Sequence, residues 1–378
     1  MASESDLASV VDGELVTTRL PARERRLRIA MVTSLRDRCG VADYSQRLVD
    51  ALAPHVEVAW VTDPDGFSPA MNEADVVHIQ HQYFLFGGVA PWRNAFGRLA
   101  NRITAPIVMT VHEIVEPDGG MARRAAIRVT NRSQFVRPGI VQFIVHTEAD
   151  LDRLATQGVS AERITVIPLG VPEPPRLPPR SAARRALGIE GQFILTVFGF
   201  VSRRKGHRTA LEALALLPEN CRLLIAGGRH PDDRSDYVDE LKRVASDLGV
   251  GGRVSFTGYL EEEDVANIMS ASDLILAPFV SGSGSASLAL AFACGRPVLA
   301  SAIPPNLEIS KLCPGSLSLV PPGQPGELAE AVARLQRDPR TLARLAEGSR
   351  RYAARFTYAH MAELTAMVYR RAAGGTGR

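Results

Sequence analysis

Twelve short apolar runs rich in Val and Ile recur along this chain with helical patterns between them, and no other feature restricts its fold as much. Continuous apolar runs of that length are what strands need in a parallel sheet, because helices cover both of its faces. The runs fall in two series. The first occupies residues 28–34, 56–63, 75–81, 106–113, 143–148 and 164–171, and the second 193–200, 221–228, 253–259, 274–279, 297–301 and 317–323. Between them lies VPEPPRLPP, residues 171–179, which can continue neither a helix nor a central strand and reads as an interdomain linker. Stretches such as 207–217 and 237–249, apolar at intervals of three and four, supply the helices. Strand and helix in alternation imply right-handed βαβ units. The expected class is therefore α/β: two Rossmann-like, doubly wound parallel-sheet domains facing a central cleft.

A chain of 378 residues with 46% hydrophobic residues can bury two such cores without disulfides or a structural metal. Its 44 basic residues against 41 acidic ones leave only +3, too small an excess for a nucleic-acid binder that relies on bulk charge. Only Lys205, Lys242 and Lys311 are lysines, a bias toward Arg that points to a GC-rich genome of actinobacterial type. Cys39, Cys221, Cys294 and Cys313 form no CxxC pair, so neither zinc nor a disulfide framework is expected, and a reduced cytoplasmic compartment fits. No signal-peptide core and no apolar stretch of membrane-spanning length occurs. Residues 1–26 read as a poorly ordered leader.

Ligands of open parallel sheets bind outside the carboxyl ends of the strands, so chemistry is sought in the loops that follow them. Arg203, Arg204 and Lys205 form such a loop, suited to a phosphate or diphosphate, with a solvated basic loop as the plain alternative. Gly282, Ser283, Gly284 and Ser285 would present N–H and hydroxyl groups at a helix N-terminus, an anion site or merely a Gly/Ser turn. No third glycine follows at dinucleotide spacing, so a nicotinamide cofactor is not expected. His112 ends an apolar run and could act as hydrogen-bond partner or acid/base; His81 and Gln82 follow the preceding run and could meet a polyhydroxylated ligand. For each of these three a purely structural role stays open. Arg124, Arg128 and Arg132 share one helical face, open to solvent, an anionic lipid or an anionic acceptor.

Together these stretches resemble the retaining glycosyltransferases of family 4, which have the GT-B fold, from about residue 27 to 372. FGFVSRRKGH is similar to that family's phosphate loop, ACGRPVLAS to its most recognisable block, and RCGVADYSQRLVDAL to its glycine loop and first helix. The resemblance implies transfer of a sugar from a nucleotide-diphosphate donor to an acceptor with retained configuration, without an obligatory metal or a further cofactor. It implies an acceptor-side domain over 27–172, a linker over 173–189, a nucleotide-sugar domain over 190–356, and a C-terminal helix within 357–378 that crosses back to the first domain. Closing of the two domains about the linker would complete the site. Lys205, Arg204 and His112 would be catalytic, with Lys205 on the diphosphate and His112 lining the sugar pocket. Gly40, Arg203, Tyr259, Leu260, Gly282, Ser283, Gly284, Ser285 and Ala286 would bind the donor, and His81 and Gln82 the acceptor. The implied partners are a nucleotide-sugar donor and a polar acceptor, with no nucleic acid and with peripheral membrane contact open.

Three positions depart from the pattern. Where that family carries two glutamates with seven residues between them, this chain has Gly282 and Leu290, and Phe200 stands where an Arg is usual. A lost hydrogen bond to a charged group costs about 1.5 to 3 kcal/mol. The departures therefore keep a second expectation alongside the first, a catalytically inactive GT-B protein acting as a binding or partner subunit.

Overall fold

The computed structural model describes residues 8–11, 14–17, 25–35, 39–63, 66–89, 95–117, 119–229, 235–282 and 284–374. Its strands are β1 (Ala8–Val11), β2 (Glu14–Thr17), β3 (Leu27–Val32), β4 (Val56–Val61), β5 (Val76–His81), β6 (Ile107–Val111), β7 (Ile140–Val145), β8 (Ile164–Val166), β9 (Phe193–Phe198), β10 (Cys221–Ala226), β11 (Val254–Gly258), β12 (Leu274–Ala277), β13 (Val298–Ser301) and β14 (Ser318–Val320). Within the segment expected to be a disordered leader, β1 and β2 pair as an antiparallel hairpin. The other twelve strands form two parallel six-stranded sheets, ordered β4-β3-β5-β6-β7-β8 and β11-β10-β9-β12-β13-β14. Each coincides with one apolar run of the sequence. The α/β architecture of two doubly wound domains is the one expected.

Both faces of the sheets are covered, which is why the runs are continuous. In the first domain Ala30, Val32, Val77 and Ile79 pack on one side with Phe86, Phe96 and Met109. Ile29, Met31, Val108 and Ile144, offset by one residue, pack on the other with Leu48 and Leu52 of helix Gly40–Leu52. That second layer also receives Met361, Ala366 and Tyr369 from the last helix, Tyr358–Gly374. The C-terminal helix thus lies on the first domain, and the fully buried Tyr369 hydroxyl is 2.6 Å from His78 Nδ1.

The chain passes between domains twice, and the two passages touch where Val171 N–H donates to the Phe356 carbonyl at 2.7 Å. The linker expected over 173–189 is shorter in the structure. Its second half is helix Arg180–Leu187, closed by Gly188 at φ 63°, and Ala183 packs into the second domain with Ile194 and Ala271. Arg184 fastens it there through the Ala271 carbonyl at 3.1 Å and the Asp273 carboxylate.

Candidate active site

In the second sheet the strand order reverses between β9 and β12, so the loops leaving these two strands part and open a crevice at their carboxyl ends. The loop after β9 runs through Arg203–Lys205 and Gly206 into helix His207–Ala215. Gly206 has φ +68°, and a Cβ there would strike the carbonyl oxygen of Pro278, which follows β12. Only glycine lets these loops close on each other. Lys205 Nζ donates to the Phe198 carbonyl and to Ser287 Oγ, each at 3.0 Å. Ser287 Oγ lies 3.0 Å from Ser285 Oγ, and Ser285 caps helix Ala286–Ala293 by accepting from Leu288 N–H at 3.4 Å. The first N–H groups of that helix have no partner within it. One cation, two hydroxyls and a helix N-terminus therefore converge, all of them donors suited to an anion. Burial, reinforced by the neighbouring Arg204 charge, lowers the pKa of Lys205 to about 7.

The first domain brings imidazoles to the facing wall. His112 follows β6 and His146 follows β7; their rings are 5.7 Å apart, and Tyr44 of helix Gly40–Leu52 packs against both at 4.7 and 5.3 Å. His112 Nε2 donates to Gln80 Oε1 at 2.9 Å, and His146 Nδ1 donates to the Ile167 carbonyl at 2.9 Å. Burial holds both rings below the usual histidine range, with the His146 charge adding to the effect on His112, so both are neutral at pH 7. The walls meet across a narrow cleft lined by His146, Thr147, Leu169, Gly284, Ser285 and Glu308. A Cβ on Gly284 would lie 3.3 Å from His146 Cβ. Glu308 Oε2 accepts from Glu148 N–H at 2.9 Å, and Arg153 Nη1 is 3.5 Å from the Gly282 carbonyl. Among the described residues no group of His, Cys, Asp and Glu is arranged to hold a metal ion.

Residues 70–173 match the family model "Glycosyltransferase Family 4" and residues 179–352 match "Glycosyl transferases group 1", one on each domain. The chain is a two-domain GT-B glycosyltransferase. D-inositol 3-phosphate glycosyltransferase of Mycolicibacterium smegmatis is 29% identical to it over 312 residues, 80% of this chain and 69% of that protein. The protein of the same name from Xylanimonas cellulosilytica is 29% identical over 315 residues, 78% of this chain and 72% of that protein. Among solved structures, HepE of Anabaena in complex with UDP-glucose has a TM-score of 0.72 at 20% identity, covering 90% of this chain and 99% of that one. Sucrose-phosphate synthase from Thermosynechococcus elongatus has a TM-score of 0.71 at 21% identity, covering 92% and 99%. These likenesses agree with the GT-B fold expected from the sequence.

Several residues singled out in the glycosyltransferase sequence lie at this cleft. Gly284 and Ser285 line it, Ser285 and Ala286 form the helix start, Lys205 is linked to Ser285 through Ser287, and Arg204 Nη1 comes within 3.8 Å of a Cβ built on Gly282. Ser283 lies outside the described residues. Gly40 opens its helix, and a Cβ there would meet nothing within 4 Å, so packing does not demand a glycine. Tyr259 and Leu260 follow β11; Tyr259 is exposed, while Leu260 packs toward Ile268 and Ala271. Gln82 Nε2 donates to Glu113 at 2.7 Å. Leu290 packs among apolar neighbours, so no carboxylate stands there.

Two expectations are corrected. Arg203 turns away from the crevice: its guanidinium pairs with Glu240 and stacks 4.5 Å over the Tyr237 ring. His81 does not reach the cleft either. Its ring is fully buried among Tyr83, Phe86 and Phe135, with Nε2 held by Gln134 Oε1 at 2.7 Å, because alternation along β5 sends it into the core. Conversely, Ser287 and His146 were not singled out from sequence. His146 carried a readable signal, since FIVH ends its run as TVH does at His112.

Proposed function

We propose that this glycosyltransferase moves a hexosyl group from a nucleotide-diphosphate sugar to a small polar acceptor with retention of configuration. The observation that carries the reading is the convergence of Lys205, Ser285, Ser287 and the start of helix Ala286–Ala293 at the switch point of the second sheet. Such a cluster meets the charge that grows on a departing diphosphate, the work a metal ion does elsewhere. The bond from the sugar C1 to the diphosphate breaks, the acceptor oxygen bonds to C1 on the same face, and the acceptor proton passes to the leaving diphosphate oxygen. Neutral His112 and His146 line the opposite wall, where the transferred sugar would sit. Solved relatives holding UDP and UDP-glucose support a sugar-nucleotide donor, and curated relatives named for D-inositol 3-phosphate support a polyhydroxylated acceptor. A natural-product or cell-envelope intermediate fits both, in a cytoplasmic setting.

The test is a thermal-shift panel with UDP, GDP, ADP and their sugar conjugates. A ligand at 100 times its dissociation constant stabilises by about 2.7 kcal/mol, so one base should raise the melting temperature clearly. A folded protein that responds to none of them would refute a donor site.

A further inference from the structure

The donor side of the cleft is made of hydrogen-bond donors: an ammonium, hydroxyls and backbone N–H groups. They suit phosphate oxygens, whereas the hydroxyls of a sugar ring also need acceptors. One buried acceptor on the facing wall is unused. His146 is 8% exposed, its Nδ1–H is spent on the Ile167 carbonyl, and its Nε2 lone pair has no partner. Buried polar atoms are nearly always paired, so an orphan on a ligand cleft calls for a ligand atom. Its place is specific. From Lys205 the contacts run through Ser287 Oγ and Ser285 Oγ, each step 3.0 Å, to the adjoining Gly284, whose Cβ position lies 3.3 Å from His146 Cβ and 3.8 Å from its Cγ.

Resting on the donor reading above, we propose that His146 Nε2 accepts a hydrogen bond from a hydroxyl of the transferred sugar, making this residue a determinant of donor-sugar specificity. The Ile167 carbonyl fixes the tautomer, and the Tyr44 ring fixes the plane of the imidazole. A sugar bound between the domains takes the place now covered by Gly284.

The experiment compares UDP with UDP-glucose, and GDP with GDP-mannose, by calorimetric titration of wild type, His146→Phe and His146→Gln. His146→Phe keeps a packed ring without the acceptor, and His146→Gln returns an oxygen near the place of Nε2. In His146→Phe the sugar nucleotide should bind about tenfold more weakly while the free nucleoside diphosphate keeps its affinity within twofold, and His146→Gln should recover part of the loss. Deoxy sugar nucleotides then identify the hydroxyl, as the one whose removal weakens wild type but not His146→Phe. Equal losses for nucleotide and sugar nucleotide, or no loss in either, would overturn the proposal and leave the donor reading standing. Wild type that binds neither nucleotide pair would overturn both. If His146→Phe does not fold, His146→Leu, which also lacks the acceptor, takes its place in the deoxy series, and an unchanged deoxy preference counts against the assignment.

Discussion

Lys205 gains a hydroxyl and a carbonyl as partners but no carboxylate, and so loses charge stability on folding. Its pKa falls from the usual lysine value of 10.5 to about 7, burial being the larger cause. Between those two values the unfolded chain holds a proton that the folded chain lacks, so this group makes the ligand-free protein more stable as pH rises through that window. A bound diphosphate reverses the balance by favouring the ammonium. UDP binding at pH 8 should therefore take up a proton, visible as a dependence of the calorimetric heat on the ionisation enthalpy of the buffer, and affinity should weaken as pH rises above about 7. Lys205→Met should abolish the proton uptake and lower turnover by about 100-fold or more, the usual effect of removing one charge-stabilising donor. Proton uptake that survives in Lys205→Met would assign the effect to another group.

At the scale of elements, the strands were legible because burial on both faces demands unbroken apolar runs: β5 is buried along its whole length and β3 from Ile29 to Val32. Which face a polar residue of a strand meets was not legible. His78 and Gln80 point to the layer that holds Tyr369, whereas His81 points to Gln134 on the other side, and those partners lie 291 and 53 residues away in sequence. Helix Arg180–Leu187 escaped for a similar reason: its flanking prolines read as linker, and the Asp273 carboxylate that fixes it stands 89 residues further on. The cationic loop was legible in the run of Arg204 and Lys205, but its contact with Ser287 was not, because that contact depends on two loops meeting. The last helix offers a direct test of element packing. Burial lowers the pKa of His78 to about 3, so the ring is neutral, bonded on Nδ1 by Tyr369 and on Nε2 by Thr110 Oγ1 at 2.8 Å. Tyr369→Phe strands one buried nitrogen at a cost of about 1 to 3 kcal/mol. Tyr369→Ala adds a cavity and should cost about 3 to 5 kcal/mol. Urea unfolding of the two variants should show that order, and an unchanged midpoint for Tyr369→Phe would mean that water replaces the hydroxyl.

At the scale of the whole molecule, the groups assigned to donor and sugar under the proposed function sit on two bodies joined by two passages of chain at Val171 and Phe356, and on that reading turnover depends on how those bodies close. The contact from Glu308 to Glu148 N–H holds them in the present arrangement. It lets a carboxylate of the second domain bond the first turn of helix Glu148–Thr156, a favourable end for negative charge. Yet the same place is unfavourable to the charge itself: burial, with Glu148 and Asp150 nearby, raises the pKa of Glu308 against the opposing pull of that N–H. Closure therefore binds protons more readily than opening, and mild acid should favour the closed form. Glu308→Gln keeps an acceptor oxygen and removes the repulsion, whereas Glu308→Ala removes the bond, worth about 1 kcal/mol or a roughly fivefold shift between closed and open. Small-angle scattering of the ligand-free protein should give Glu308→Ala a larger radius of gyration than wild type, and Glu308→Gln an equal or smaller one with its pH dependence lost. Identical radii for all three proteins would place the hold on closure elsewhere, with Arg153 at the Gly282 carbonyl the next contact to break.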